Sequence, residues 1–132
     1  MPETPPDPPA SPPGPRGLLL SRDLIFTTKV TGTARALGHQ VLVATTSDQA
    51  LAMIDQWRPR AVVVDLAAGD LTGPEALVAY RKALGDGSLL VAFGSHVDTD
   101  RLAVARASGC DEVLVRSQFS GQLPDLIRRY LG

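Results

Sequence analysis

The sequence holds one cysteine, Cys110, two histidines, His39 and His96, and few aromatic residues, 5% in all. A single thiol excludes an internal disulfide and any multi-cysteine metal site. Two histidines without carboxylates at ligand spacing build no zinc site. No apolar run approaches the roughly 18 residues that a membrane span requires. The N-terminus carries proline, glutamate and aspartate where a secretory signal would carry basic residues and an apolar stretch. A soluble protein of the cytoplasm is therefore expected. Charge of one sign is lacking too: 13 Lys and Arg stand against 14 Asp and Glu, a net of −1, and the basic residues are scattered. A nucleic-acid surface needs a concentrated basic stripe, and none is visible. Internal repeats are absent.

Proline is present but confined: eight of the 11 fall between Pro2 and Pro15. Residues 1–16 read as a disordered proline-rich leader, unable to form helix or sheet ladders and inclined to extended polyproline conformations. The Pro-x-x-Pro spacings at Pro2/Pro5 and Pro9/Pro12 suit either a docking peptide or a plain spacer. From Gly17 the composition changes. With 44% hydrophobic and 20% charged residues overall, residues 17–132 can bury one core without metal or disulfide help.

The body then alternates. Leu18-Leu19-Leu20, Val41 to Ala44, Ala61 to Asp65, Leu89 to Phe93 and Val113 to Val115 are short apolar runs, the mark of strands buried on both faces. Between them lie helical stretches. Phe26, Val30, Ala34 and Leu37 share one face of the first, with Gly38 after its end. Ser47 is expected to cap a second helix ending at Trp57, before Pro59. Pro74 opens a third through Leu77, Tyr80 and Leu84. Asp98 is expected to cap a fourth, and Leu123, Leu126, Ile127 and Tyr130 mark a last one starting near residues 120–123. Five strands alternating with five helices predict an α/β, doubly wound, flavodoxin-like parallel sheet of order 2-1-3-4-5 with helices on both faces. A ligand or reaction site in such a sheet lies beyond the carboxyl ends of the strands. Those ends supply Ser21, Arg22, Asp65, Gly94, Ser95, Arg116 and Ser117.

Asp65 stands out. An acid closing Val62-Val63-Val64, with Leu66 next, Leu71 six residues on and Gly73 eight residues on, resembles a bacterial response-regulator (CheY-like) receiver. Ala107 to Val113 is similar to the stretch leading into a receiver's fifth strand, and Phe119 to the aromatic after it. The resemblance spans about residues 17–131 and implies that Asp65 is the phosphoryl-acceptor position in a two-component phosphorelay. It also implies an acidic pair after strand 1 to hold Mg²⁺, a Thr or Ser after strand 4 and a Lys after strand 5. Ser21 and Arg22 stand where the acidic pair would, with Asp23 adjacent. Gly94, then Ser95, occupy the Thr/Ser position, Arg116 the Lys position, and Ser117-Gln118 follow in place of the usual proline.

Charge makes these departures matter. Phosphoryl transfer brings a dianion to a carboxylate, and a divalent cation normally offsets the repulsion. Arg22 is expected to pair with Asp65, contributing about 1 kcal/mol if exposed and more if partly buried. The expectation is a stand-alone pseudo-receiver with no cofactor and no enzymatic activity, working through protein contact. The partner, or a second copy, would meet the helix 4–strand 5–helix 5 face that the resemblance implies, near Arg128-Arg129-Tyr130. Two alternatives stay open: a working single-domain response regulator using Mg²⁺ and Asp65, and a regulatory domain binding a phosphate or nucleotide at Arg22 and Arg116. Ser95, His96 and Asp98 are triad residue types, but neighbours in one loop rarely converge as a triad must. Cys110 reads as core filler and Trp57 as a core-edge aromatic. Thr27, Thr28, Thr31 and Thr33 lower the propensity of the first helix without visible purpose.

Overall fold

Residues 16–132 are described in a computed structural model of the chain. The proline-rich leader, as far as residue 15, lies outside the described residues. The elements run β1 (Arg16–Leu20), α1 (Leu24–Ala36), β2 (Gln40–Ala44), α2 (Ser47–Trp57), β3 (Ala61–Asp65), α3 (Pro74–Leu84), β4 (Leu89–Gly94), α4 (Thr99–Ala107), β5 (Glu112–Val115), α5 (Arg116–Gly121) and α6 (Leu123–Leu131). A short 3-10 turn, Gly69–Thr72, precedes α3. The strands form one parallel sheet in the order β2-β1-β3-β4-β5, as the alternation predicts.

Side chains alternate across each strand, so every strand residue belongs to one of two layers. Leu18, Leu20, Val62, Val64, Leu90 and Ala92 pack with Ile54, Leu77, Tyr80 and Leu102 of α2, α3 and α4. Leu19, Ala61, Val91 and Phe93 face the other way, against Phe26, Val30 and Ala34 of α1, Phe119 of α5 and Leu126, Ile127 and Tyr130 of α6. Burying such side chains stabilises by about 1.5–3 kcal/mol each.

Several boundaries differ from expectation. The first strand begins at Arg16 rather than Leu18: Arg16 pairs with Gln40, and its carbonyl accepts from the Arg60 N–H at 2.8 Å. The last helix is two. Pro124 has no N–H to give the Ser120 carbonyl, so the chain leaves helical geometry at Gln122 (φ −113°, ψ 18°) and restarts with Pro124 in the first turn of α6. Thr46, not Ser47, caps α2, its Oγ1 accepting from the Gln49 N–H at 3.1 Å. Asp98 precedes α4 without a side-chain cap, and its carboxylate pairs with Arg101 at 3.3 Å.

Three of the four threonines of α1 bond back to their own helix. The Thr27 hydroxyl donates to the Leu24 carbonyl (3.0 Å), Thr31 to Thr27 (2.9 Å) and Thr33 to Lys29 (2.8 Å). A hydroxyl satisfied on its own helix leaves no buried donor unpaired, which lets Thr27 be buried at 7% exposure.

Candidate functional site

Strand alternation continues past the strand ends and decides which side chains meet. Asp65, two residues after Val63, stays on the α1/α5/α6 side of the sheet, as does Ser21, two residues after Leu19. The Ser21 hydroxyl donates to Asp65 Oδ2 at 2.8 Å. Asp65 Oδ1 accepts from Arg116 Nη2 at 2.9 Å and from the Ala67 N–H at 3.0 Å. Both carboxylate oxygens are engaged, and the Asp65 side chain is only 3% exposed. The backbone is held as well: Thr72 Oγ1, buried, donates to the Asp65 carbonyl at 2.8 Å, and the Tyr80 hydroxyl donates to the Leu71 carbonyl. Burial keeps the Tyr80 hydroxyl above the usual tyrosine range, so it remains a donor there.

Arg116 rests on aromatic rings. Its guanidinium carbon lies 5.0 Å from the Phe26 ring centroid and 5.1 Å from that of Phe93. Phe93 stacks on Phe119 at 4.5 Å and 9°, and Phe26 tilts against both at 5.0 and 5.8 Å. Each cation–π contact contributes about 0.5–1 kcal/mol and fixes where the guanidinium sits. A half-buried arginine oriented in this way supplies the charge that a buried carboxylate requires.

The expected Arg22–Asp65 pair does not form. Arg22 belongs with Leu20, on the opposite side of the sheet from Asp65, and its nitrogens are used elsewhere. Nε donates to the Thr45 carbonyl at 3.0 Å, Nη1 to the Ala68 carbonyl at 3.0 Å and Nη2 to Asp70 at 3.3 Å. One guanidinium thus ties together the loops after β1, β2 and β3. Asp23 caps α1, its Oδ1 accepting from the Phe26 N–H at 3.0 Å. Gly94 closes β4 on the α4 side. A Cβ there would lie 3.2 Å from Leu66 Cδ1 and 3.4 Å from Leu102 Cδ2, so leucine side chains fill the space a larger residue would need. Ser95 and Ser117 are exposed and outside the Asp65 cluster. Ser95 Oγ accepts from the Val97 N–H at 3.4 Å while Asp98 holds Arg101, so these triad residue types do not converge. Burial pushes the Cys110 thiol up to about 11, which keeps it protonated and inert. Trp57 is 39% exposed, with the Arg16 guanidinium 4.3 Å from its ring centroid.

No protein-family model and no curated protein matches the sequence. Solved structures do match. CheY4, a chemotaxis response regulator of Vibrio cholerae, superposes with a TM-score of 0.75 at 18% identity, over 89% of this chain and 99% of that one. The receiver domain of NtrX from Brucella abortus gives 0.74 at 22%, over 86% and 96%. The receiver domain of the sensor histidine kinase PA1611 from Pseudomonas aeruginosa gives 0.73 at 19%, over 89% and 97%. The chain has the response-regulator receiver fold. Its described residues have the strand order expected of that fold, and Asp65 is the last residue of β3.

The receiver fold implies Mg²⁺, and the residues here do not fit it. A hard divalent cation takes six or more oxygen ligands, usually with two carboxylates among them. Near Asp65 the acidic-pair positions hold a hydroxyl, Ser21, and a guanidinium, Arg22. Asp23 is spent on α1 and Asp70 on Arg22. Among the described residues no three His, Cys, Asp or Glu side chains are grouped so as to hold a metal. Arg22, half of the expected phosphate or nucleotide site, is bonded to the loops carrying Thr45, Ala68 and Asp70, whereas Arg116 is bonded to Asp65.

Alternation, which the sequence displays, was the signal for pairing Asp65 with Ser21 and Arg116. The roles of Phe26 and Phe93 beneath Arg116 had no such signal, since each reads only as a core residue of its own element.

Proposed function

We propose that the chain is a receiver-like signalling module, a pseudo-receiver that acts through protein contact and not as an enzyme. The observation that carries this reading is the closed Asp65 carboxylate, with Ser21 on one oxygen and Arg116 and the Ala67 N–H on the other, at 3% exposure. An incoming phosphoryl dianion would have to displace Arg116 and would meet no second carboxylate able to recruit a counter-ion. Contact with a partner, or a second copy, falls to the face made by α4, β5 and α6, the last helix. Val97, just before α4, leaves an apolar side chain 74% exposed. Arg129 is less available than expected: it forks onto Glu112 at 2.8 and 3.0 Å, and the Tyr130 hydroxyl donates to the same carboxylate. Among the described residues no helix is long and apolar enough to cross a membrane.

The rival reading is a working phosphorelay receiver that accepts phosphate on Asp65. The magnesium ion coordinated in the active-site cleft of the Pseudomonas aeruginosa receiver is the precedent for it. Incubation with Mg²⁺ and acetyl phosphate, followed by intact mass, separates the two. We expect unmodified protein. A gain of about 80 Da, the mass of one phosphoryl group, lost again in Asp65→Asn, sinks the pseudo-receiver reading.

A further inference from the structure

The arrangement around Arg116 has a second consequence, concerning α5 rather than Asp65. With six residues, Arg116–Gly121, and no side-chain cap at its start, α5 is too short to be helical by propensity. It is also cut off from α6 at Gln122, so α6 cannot propagate helix into it. Three contacts hold it. Phe119, 2% exposed, stacks on Phe93, Ser120 accepts from Lys29 at 2.9 Å, and Arg116 reaches Asp65. The Lys29–Ser120 bond is exposed and therefore weak. Of the other two, only the Arg116 contact ends on a charge, and it is made by the first residue of the helix.

We propose that Asp65 is the anchor of α5: its carboxylate holds Arg116 on the Phe26 and Phe93 rings, and this contact keeps α5 folded against the body. Asp65 is then a positioning residue for the short helix that joins β5 to α6, a role that needs its negative charge and no phosphodonor. The inference shares the Asp65–Arg116 pair with the reading above but does not depend on whether phosphate can be transferred. Neutralising Asp65 frees Arg116 to hydrate, since its side chain is already 34% exposed, and α5 loses its start. The coupling is local, because α2 and α3 lie in the other layer of the fold.

Amide hydrogen exchange in the full chain tests this without phosphate or metal. The helical amides at Ser120 and Gly121, and the Gln122 N–H bonded to the Gln118 carbonyl at 3.0 Å, report on α5. Asp65→Asn, which keeps the side chain's size, is expected to raise their exchange about tenfold relative to wild type, with amides of α2 and α3 unchanged. Arg116→Gln should raise it at least as much, since the ring contacts go as well, and the double variant no further than Arg116→Gln, because the Asp65–Arg116 contact is common to both changes. Wild-type exchange across α5 in Asp65→Asn overturns the proposal. So does a double variant whose effect is the sum of the two singles, or a rise shared equally by α2 and α3. None of these results bears on the acetyl phosphate experiment, so either conclusion can fall alone.

Discussion

Arg116→Ala is expected to lower the unfolding free energy by about 2–3 kcal/mol, below the 3–5 kcal/mol of a fully orphaned buried charge. The substitution leaves the Asp65 carboxylate at 3% exposure with no cation near it. Ser21 and the Ala67 N–H still donate to it, and the space vacated by the guanidinium admits water, which is why the smaller figure applies. The reciprocal change is milder. In Asp65→Asn the orphan is Arg116, which reaches solvent, so about 1 kcal/mol is expected. Urea or guanidinium unfolding of the two variants checks the asymmetry, with a lower midpoint in Arg116→Ala at unchanged slope. Equal losses would mean that the pair is solvated and that Asp65 is not buried in solution.

Phe93→Ala should cost more, about 3–5 kcal/mol, because it empties a wholly buried ring from the core at the carboxyl end of β4. Three contacts go with the ring: the stack on Phe119, the tilt against Phe26 and the support under Arg116. Domains of this size are stable by only about 5–15 kcal/mol, so the variant sits near the edge of folding. Thermal unfolding provides the measurement, with a fall in Tm on the order of 10–20 °C. Phe93→Leu keeps most of the volume but not the π face, and should lose less. A small loss in Phe93→Ala would show that the aromatic cluster is not the framework described here.

Sheet order and strand placement were legible because each strand is a short apolar run and each connection contains a helical period. Asp65 was legible for a simpler reason: a carboxylate ending a run of valines has no other business in a buried strand. Its partner was not read correctly, although alternation carried the information. Leu19 and Ser21 share a side of the sheet, and so do Leu20 and Arg22; only the first pair shares Asp65's side. Charge at the right loop suggested Arg22, but geometry selects Arg116. Other features depend on packing that one segment cannot display. Phe26, Phe93 and Phe119 meet only once α1 and α5 lie on the same layer. The choice of Thr46 over Ser47 as a cap is a one-residue matter between two good capping residues. The split at Gln122 was foreshadowed by Pro124, but the six-residue helix before it has no side-chain cap to announce its start.

The account rests on a protein cation, and not a metal ion, neutralising Asp65. An Mg²⁺ titration of ¹³C- and ¹⁵N-labelled protein, following the Asp65 carboxyl carbon and the Arg116 guanidinium nitrogens by NMR, tests that directly. The account predicts separate, slowly rotating Arg116 Nη signals and an Asp65 carboxyl resonance that stays in place through millimolar Mg²⁺. Rotationally averaged Arg116 signals, together with a saturable Mg²⁺-dependent shift at Asp65, would contradict it.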